Sequence, residues 1–463
     1  MAALWVVAAW HRLKVLDHAV VGSDSVGPYL QAQAALFGNV PRPPNPESGD
    51  ALWLMMVPIV AVADSLHDLF FTRFVLGGVV APLGFAAAYH WTSATASPMR
   101  RWAAALAAGL FLAFDPGLLD TLVSGARSYG APELVGITTL CAALSLRGDP
   151  WAPTATVVSL VLAAGHHPLA LGMGLGLLPL IPAVRRAVGP RHLRTAFILG
   201  GVVALPRLFR IGSIAWCGEG PITCLSAVAQ SNVTDTDPWM NLLQVALHDR
   251  WMVDLDAGSW IIMAGVLSIV LCTCREHRKA AHFALWGLIG VLLIGLLTGY
   301  VRSYHLRITA VPMAVAAGLG MARIWPLAPI AACIFVGHTY ALLPVGPDQG
   351  AVARHDRVAH ELPKGPLWVD RVWWEGLPVL DPSGVVLSGW LTGRRDFQLG
   401  PQTPFILLEN GTGKSGWNVR SFDEVDSAQR WFDDQNRLPH QRGGAYDWAT
   451  ISAPHTRLED ARW

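Results

Sequence analysis

The chain has 463 residues, 52% of them hydrophobic and only 14% charged, with a formal net charge of +1 and a mean hydropathy of +0.39. Soluble domains usually carry about 25% charged residues, so the composition excludes an ordinary soluble enzyme and indicates a polytopic membrane protein with soluble mass attached. The near-neutral balance also excludes a nucleic-acid partner, which needs a basic face.

The chain opens on MAALWVVAAW, which lacks a basic leader and runs into the polar HRLKVLDH without a small-residue cleavage site. It is shorter than the roughly 20 residues a crossing helix needs and reads as a short first span. VGSDSVGPYLQAQAALFG, residues 21–38, then sets Asp24 ahead of an amphipathic segment in which Tyr29, Leu30, Ala34, Leu36 and Phe37 can cover an apolar surface. Asp24 has two readings here, a helix cap or a functional carboxylate.

Residues 51–66 (ALWLMMVPIVAVADSL) read as a re-entrant or juxtamembrane helix. Stretches able to span follow near 71–92, 102–119, 132–147, 152–171, 172–184, 194–209, 259–273, 280–300, 308–322 and 325–343. With the first segment this predicts an all-α polytopic domain of about 10–11 spans over residues 1–343.

Basic residues concentrate in alternate loops: Arg100 and Arg101, Arg147, the group from Arg185 to Arg194, then Arg275, Arg278 and Lys279, and Arg323. The positive-inside rule places these in the cytoplasm. The loops 11–70, 117–131, 207–258 and 301–307, with everything after 344, then face outward, and Asp24 with them.

The outer loop FDPGLLDTLVSGARSYGAPE brings Asp115, Asp120, Arg127, Tyr129 and Glu133 to the membrane edge. Arg127 can hold a lipid phosphate through paired hydrogen bonds or pair with Asp120 or Glu133. GHHPLAL at 165–171 puts His166 and His167 in an apolar run; a proton relay needs an acid at helical spacing, and none is there, so a helix break lined by imidazoles is the favoured reading.

The outer loop 207–258 contains WCGEGPITC, whose Cys217 and Cys224 can close a disulfide in an oxidising compartment or stay as two thiols. CTCREHRKAAH (Cys272, Cys274, His277, His282) has metal-like letters without a standard spacing and reads as a plain inner loop. In YVRSYHLR, Arg302, His305 and Arg307 fall within two turns at the outer face. They point either to an anionic ligand or to side chains snorkelling toward headgroups.

After Pro344 the chain becomes charged and turn-rich. GPLWVDRVWW, SGVVLSGWL, TPFILLEN and YDWATISAP read as strands. SFDEVDSAQRWFDDQNRLP reads as a helix opened by a Ser421/Glu424 capping box. Residues 344–463 are therefore expected to form a small α/β soluble domain on the outer face. GTGKS at 411–415 lacks the first glycine of a phosphate loop, Leu408 standing there, and reads as a turn. The twenty Trp suit interfacial belts or sugar stacking, and Trp373, Trp374, Trp390 and Trp448 serve as the domain's core or as an acceptor surface, the core reading being favoured. Asn232 and Asn410 begin outward-facing sequons.

Residues 20–330 resemble the GT-C superfamily, the polytopic glycosyltransferases that use polyprenyl-phosphate sugars, in the manner of mannosyl- and aminoarabinose transferases. The residues that carry the likeness are Asp24 in GSDSVGPYLQAQAALFGNVPRP, Arg73 in FFTRFVLGG, the Arg127-Ser128-Tyr129 step in FDPGLLDTLVSGARSYGAPELVG, and Arg307 in YHLRITAVPMAVAAGLG. The resemblance implies an inverting transfer on the extracytoplasmic face of a bacterial inner membrane, with the C-terminal domain in the periplasm. It makes Asp24 the base candidate, and Arg127, Arg302 or Arg307 the stabilisers of the departing lipid phosphate, with Tyr129, His305 and Asp120 beside them. No cofactor is implied beyond the lipid-linked sugar. The family often shows two adjacent acids in the first loop, whereas Asp24 is followed by Ser25; one isolated acid argues against a tight divalent-metal site. A scaffold that binds lipid or a larger protein assembly without catalysis is the alternative function.

Overall fold

The structure, a computed structural model, describes residues 1–19, 66–92, 95–124, 130–215, 278–297 and 303–322, isolated positions from 59 to 63, and short stretches at 352–353, 367–369, 386–387, 405–410 and 417–422. The chain divides into two compact units: Met1–Leu16, Pro46–Leu52 and Arg73–Val345 form the first, and Asp17–Asn45, Trp53–Thr72 and Gly346–Trp463 the second.

The described part of the first unit is helical. In chain order it contains α1 (Ala2–Leu13), the end of α2 (Leu66–Gly77), α3 (Val80–Trp91), α4 (Pro98–Phe114), α5 (Pro116–Ser124), α6 (Ala131–Leu146) and α7 (Ala152–His166). It continues with α8 (Met173–Leu177), α9 (Ile181–Val188), α10 (Pro190–Ala215), α11 (Arg278–Leu297) and α12 (Ala310–Met321). Among the described residues four helical stretches are long and apolar enough to cross a membrane, His67–Trp91, Pro98–Leu119, Pro168–Val188 and Arg278–Leu296. Ala131–Leu146, Ala152–His166 and His305–Met321 are shorter apolar helices.

Local chemistry sets the helix ends. Ser97 caps α4, accepting from Arg100 N at 3.4 Å, and Pro98 opens its first turn. Asp149 Oδ1 accepts from Trp151 N at 2.9 Å and Ala152 N at 3.3 Å and so starts α7. At the end of α9, Gly189 takes φ 86° and its N–H closes on Arg185 O, a positive-φ conformation that glycine adopts without strain. The Pro168–Val188 stretch alternates 3₁₀ and α turns, broken where Pro179 and Pro182 remove donors.

Hydroxyls buried in this apolar interior are satisfied within the helices. Thr138, Thr139 and Thr156 donate to the carbonyl four residues earlier, and the Thr138 and Ser159 hydroxyls pair at 2.8 Å between α6 and α7. Trp91 Nε1 donates to Thr139 O at 3.0 Å, joining α3 to α6.

Small residues let these helices approach closely, the usual device where lipid supplies no hydrophobic drive between helices. Gly318 of α12 lies on Ala104 O and Ala108 of α4, and Gly84 of α3 receives Leu112. Gly172 meets the backbone of Gly290 and Val291 of α11, so a side-chain carbon at Gly172 has no room. Gly172→Val is therefore expected to cost about 3 kcal/mol or more by overpacking, read as a lower unfolding midpoint in detergent. An unchanged midpoint would contradict this packing.

In the second unit the described strands are β1 (Leu367–Val369), β2 (Val386–Leu387), β3 (Phe405–Asn410) and β4 (Trp417–Phe422), in the order β2-β1-β3-β4. β1 runs parallel to β2 and β3, while β3 and β4 are antiparallel, with Asn410 opposite Trp417. The proposed Ser421 cap is corrected here: Ser421 lies in β4 and pairs with Ile406. A cap-like local signature yields to strand pairing with β3, because tertiary context overrides local propensity. The segment 411–416 that joins β3 to β4, the residues from 423 onward and the YDWATISAP strand lie outside the described residues.

Candidate functional site

Charged and imidazole side chains collect at one end of the helices of the first unit, where α1, α4 and α7 finish and α6 begins. The 3₁₀ segment Ser303–Thr309 leads into α12 at this end, and it touches α5, α6, α11, α12 and the 3₁₀ segment Pro168–Gly172. Arg12, Arg73, Asp115 and Arg307 are buried in this layer, with His166, His167 and His305. Charge withdrawn from water in an apolar bundle is costly and is kept where it is paired or used.

Asp115 stands between α4 and α5, and its Oδ2 accepts from Leu118 N at 2.9 Å, capping α5. Arg307 approaches the same turn. A side-chain carbon at Gly117 would sit 3.0 Å from Arg307 Nε and 3.1 Å from Asp115 Oδ2. Gly117 thus leaves the space in which the guanidinium and the carboxylate lie side by side. Asp115 is 1% exposed and Arg307 is 3% exposed.

Arg12, in the last turn of α1, donates from its two terminal nitrogens to Ala8 O and Leu112 O, each at 3.3 Å, and so ties α1 to α4. It interacts electrostatically with Glu133 and Asp115, and Glu133 interacts in turn with Arg73. Both groups border Gly77: a side-chain carbon there would lie 3.8 Å from both Arg12 Nε and Glu133 Oε1, in ordinary contact with each. The guanidinium groups of Arg12 and Arg73 and the carboxylates of Asp115 and Glu133 form one charge-compensated layer.

The imidazoles flank it. α7 ends at His166, whose ring lies against Gly130 at the start of α6, where φ is 80°. His167 takes an extended conformation, and its Nδ1 accepts from Leu169 N at 3.4 Å. The ring of His305 packs 4.4 Å from that of His167, at 42°. The helix does break between these histidines, as their sequence suggested.

Of the site residues singled out in the sequence, the structure brings His305 and Arg307 into this layer and buries both. Burial corrects the snorkelling alternative for them, since their side chains end inside the protein. Asp120 lies on α5, beside the layer in sequence, and its side chain is not among those described. Asp24, Arg127, Tyr129, Arg302, Cys217 and Cys224 lie outside the described residues. Sequence reasoning missed Arg12. Its signal was an arginine closing an apolar segment that was otherwise too short to span, in AAWHRLK.

No protein-family model matches the chain, and no curated protein matches it. Solved structures do. The crystal structure of ArnT from Cupriavidus metallidurans bound to undecaprenyl phosphate superposes with a TM-score of 0.55 at 14% identity, over 91% of this chain and 97% of that one. The apo structure of the same protein gives a TM-score of 0.53 at 14% identity, over 91% and 98%. The arabinosyltransferase EmbB from Mycobacterium smegmatis matches with a TM-score of 0.46 at 14% identity, over 70% of this chain and 30% of that one. The chain has a GT-C-like membrane fold.

Proposed function

We propose that this protein is a membrane glycosyltransferase that moves a sugar from a polyprenyl-phosphate donor to a glycan, lipid or protein acceptor on the extracytoplasmic face of a bacterial inner membrane. The observation that carries the reading is Arg307. It is a buried guanidinium held beside Asp115, in a fold shared with a protein crystallised with undecaprenyl phosphate.

In the proposed reaction the acceptor hydroxyl oxygen bonds to the anomeric carbon from the face opposite the lipid phosphate. The sugar–phosphate C–O bond breaks, and its electron pair stays on the phosphate oxygen. The hydroxyl proton passes to Asp24, which therefore needs hydrogen-bond reach to the acceptor. Arg307, with Arg127 and Arg302, meets the charge that develops on the leaving phosphate, where fixed donors act most strongly. Tyr129, His305 and Asp120 orient the headgroup or those arginines. The Cys217–Cys224 pair closes the outer loop 207–258 as a disulfide, and residues 344–463 lie in the periplasm.

Asp24→Asn is expected to lower transfer by about 10²–10⁴, the usual contribution of a general base, with an unchanged unfolding midpoint. Transfer from a radiolabelled polyprenyl-phosphate sugar into extracted membranes measures this. Full activity in the variant would remove Asp24 from the mechanism and return it to a helix-capping role.

A further inference from the structure

A second cluster of cations lies at the other end of the same helices. Asp115 and Arg101 bracket α4, and Glu133 and Arg147 bracket α6. At 1.5 Å per residue, the two ends are separated by roughly 20 Å. At this second end Arg147 folds back, donating from Nε to His90 O and from a terminal nitrogen to Thr92 O, both at 2.9 Å. Arg101 lies over the ring of Tyr89, 4.4 Å from its centroid.

The groups here are of one sign and incompletely satisfied. Arg101 and Arg147 repel one another, and both act on His90. Partial burial, and after it the Arg101 charge, hold the Arg147 guanidinium below its usual pKa. Arg101 Nε and His90 Nδ1 are buried without a hydrogen-bond partner among the described residues. Neither Arg101 nor Arg147 forms an ion pair with a carboxylate among the described residues. The nearby Asp149 is engaged in capping α7. Arg185 and Arg186, on the helix α9 that packs on α6, add charge of the same sign.

What borders the cluster is apolar. Met99, Trp102 and Leu106 share one face of α4 and are 62%, 56% and 51% exposed. Trp102 packs edge-on against Phe85 and Tyr89, so the aromatic wall continues up to the guanidinium of Arg101. Trp151, at the start of α7, is 74% exposed. Tryptophans beside cations at a helix end mark the boundary between acyl chains and headgroups.

We propose that Arg101 and Arg147, with His90 and the Tyr89–Trp102 aromatic wall, form a binding site for the phosphate of an anionic phospholipid, at the end of the fold opposite the candidate transfer site. Both guanidinium groups donate to the phosphate oxygens, and the diester neutralises two like charges gathered at this end of the helices. The acyl chains lie along Met99, Trp102 and Leu106. A soluble phosphate compound would leave that apolar face unused, which commits the site to a lipid. The site is independent of the transfer reaction.

The test is native mass spectrometry of the full chain in detergent, titrated with phosphatidylglycerol or with phosphatidylcholine, for wild type and Arg101→Gln. The Arg101 side chain makes no hydrogen bond among the described residues, and unfolding midpoints verify that the variant is folded. The expected result is preferential retention of phosphatidylglycerol by wild type and about tenfold weaker retention by the variant, the loss of one charge-assisted contact. Arg101→Lys should recover part of the affinity. Equal retention of the two lipids, or a variant indistinguishable from wild type, would overturn the proposal. So would displacement of the lipid by millimolar inorganic phosphate, which would mark a free-anion site instead.

Discussion

Arg12→Met is expected to lower the stability of the folded protein by about 3 kcal/mol or more, the consequence of removing a buried charge that donates two hydrogen bonds. Arg12 is 2% exposed and holds α1 to α4 through Leu112 O. It also faces the Glu133 carboxylate, and Glu133 Oε2 has no hydrogen-bond partner among the described residues. Methionine fills most of the volume, so the loss reports the charge and its two backbone hydrogen bonds rather than a cavity. The double variant Arg12→Met/Glu133→Leu should recover part of the loss, because no carboxylate then remains unpaired in the apolar layer. Recovery is partial because Glu133 also serves Arg73. Thermal unfolding in detergent for the wild type, both single variants and the double variant gives the coupling energy directly. Strict additivity would mean that Arg12 and Glu133 act separately.

The second large effect concerns Arg307. Arg307→Ala is expected to lower transfer by about 10²–10³, the range for removing a donor that meets charge in the transition state, and to weaken binding of the lipid phosphate. Arg307→Lys should restore a fraction, since an ammonium keeps the charge but loses the paired hydrogen bonds. Gly117→Ala is a complementary variant: it removes no charge but places a methyl group in the gap shared by Arg307 and Asp115. It should depress transfer, and because the methyl also crowds Asp115 Oδ2, the oxygen that caps α5, its unfolding midpoint should fall slightly. A kinetic comparison of the three variants, with unfolding midpoints to verify folding, tests the role. Wild-type transfer by Arg307→Ala would remove it from the site.

The sequence made the membrane class legible through hydropathy and loop charge, because both depend on short windows. Arg307 was legible for the same reason, since three basic side chains lie within YVRSYHLR at a helix boundary. Arg12 was not, because its significance depends on Glu133 and Leu112, far along the chain and brought near by packing of α1 on α4. The backbone contact of Gly172 with Gly290 was hidden likewise: glycine marks a permitted approach, and only the fold selects the partner. Ser421 shows the converse error. SFDE carries a sound helix-start signature, yet pairing with β3 decides the conformation of Ser421 and Phe422. Helix ends set by their own side chains, such as Ser97 before Pro98 and Asp149 before α7, are the features that local sequence specifies most directly.

The most direct measurement is native mass spectrometry of the purified full chain with undecaprenyl phosphate, set against the neutral alcohol undecaprenol at equal concentration. The expected result is a one-to-one adduct with the phosphate, absent with the alcohol and weakened in Arg307→Ala. Equal retention of phosphate and alcohol, or no adduct with either, would contradict a lipid-phosphate donor site and leave the fold as a scaffold for other partners.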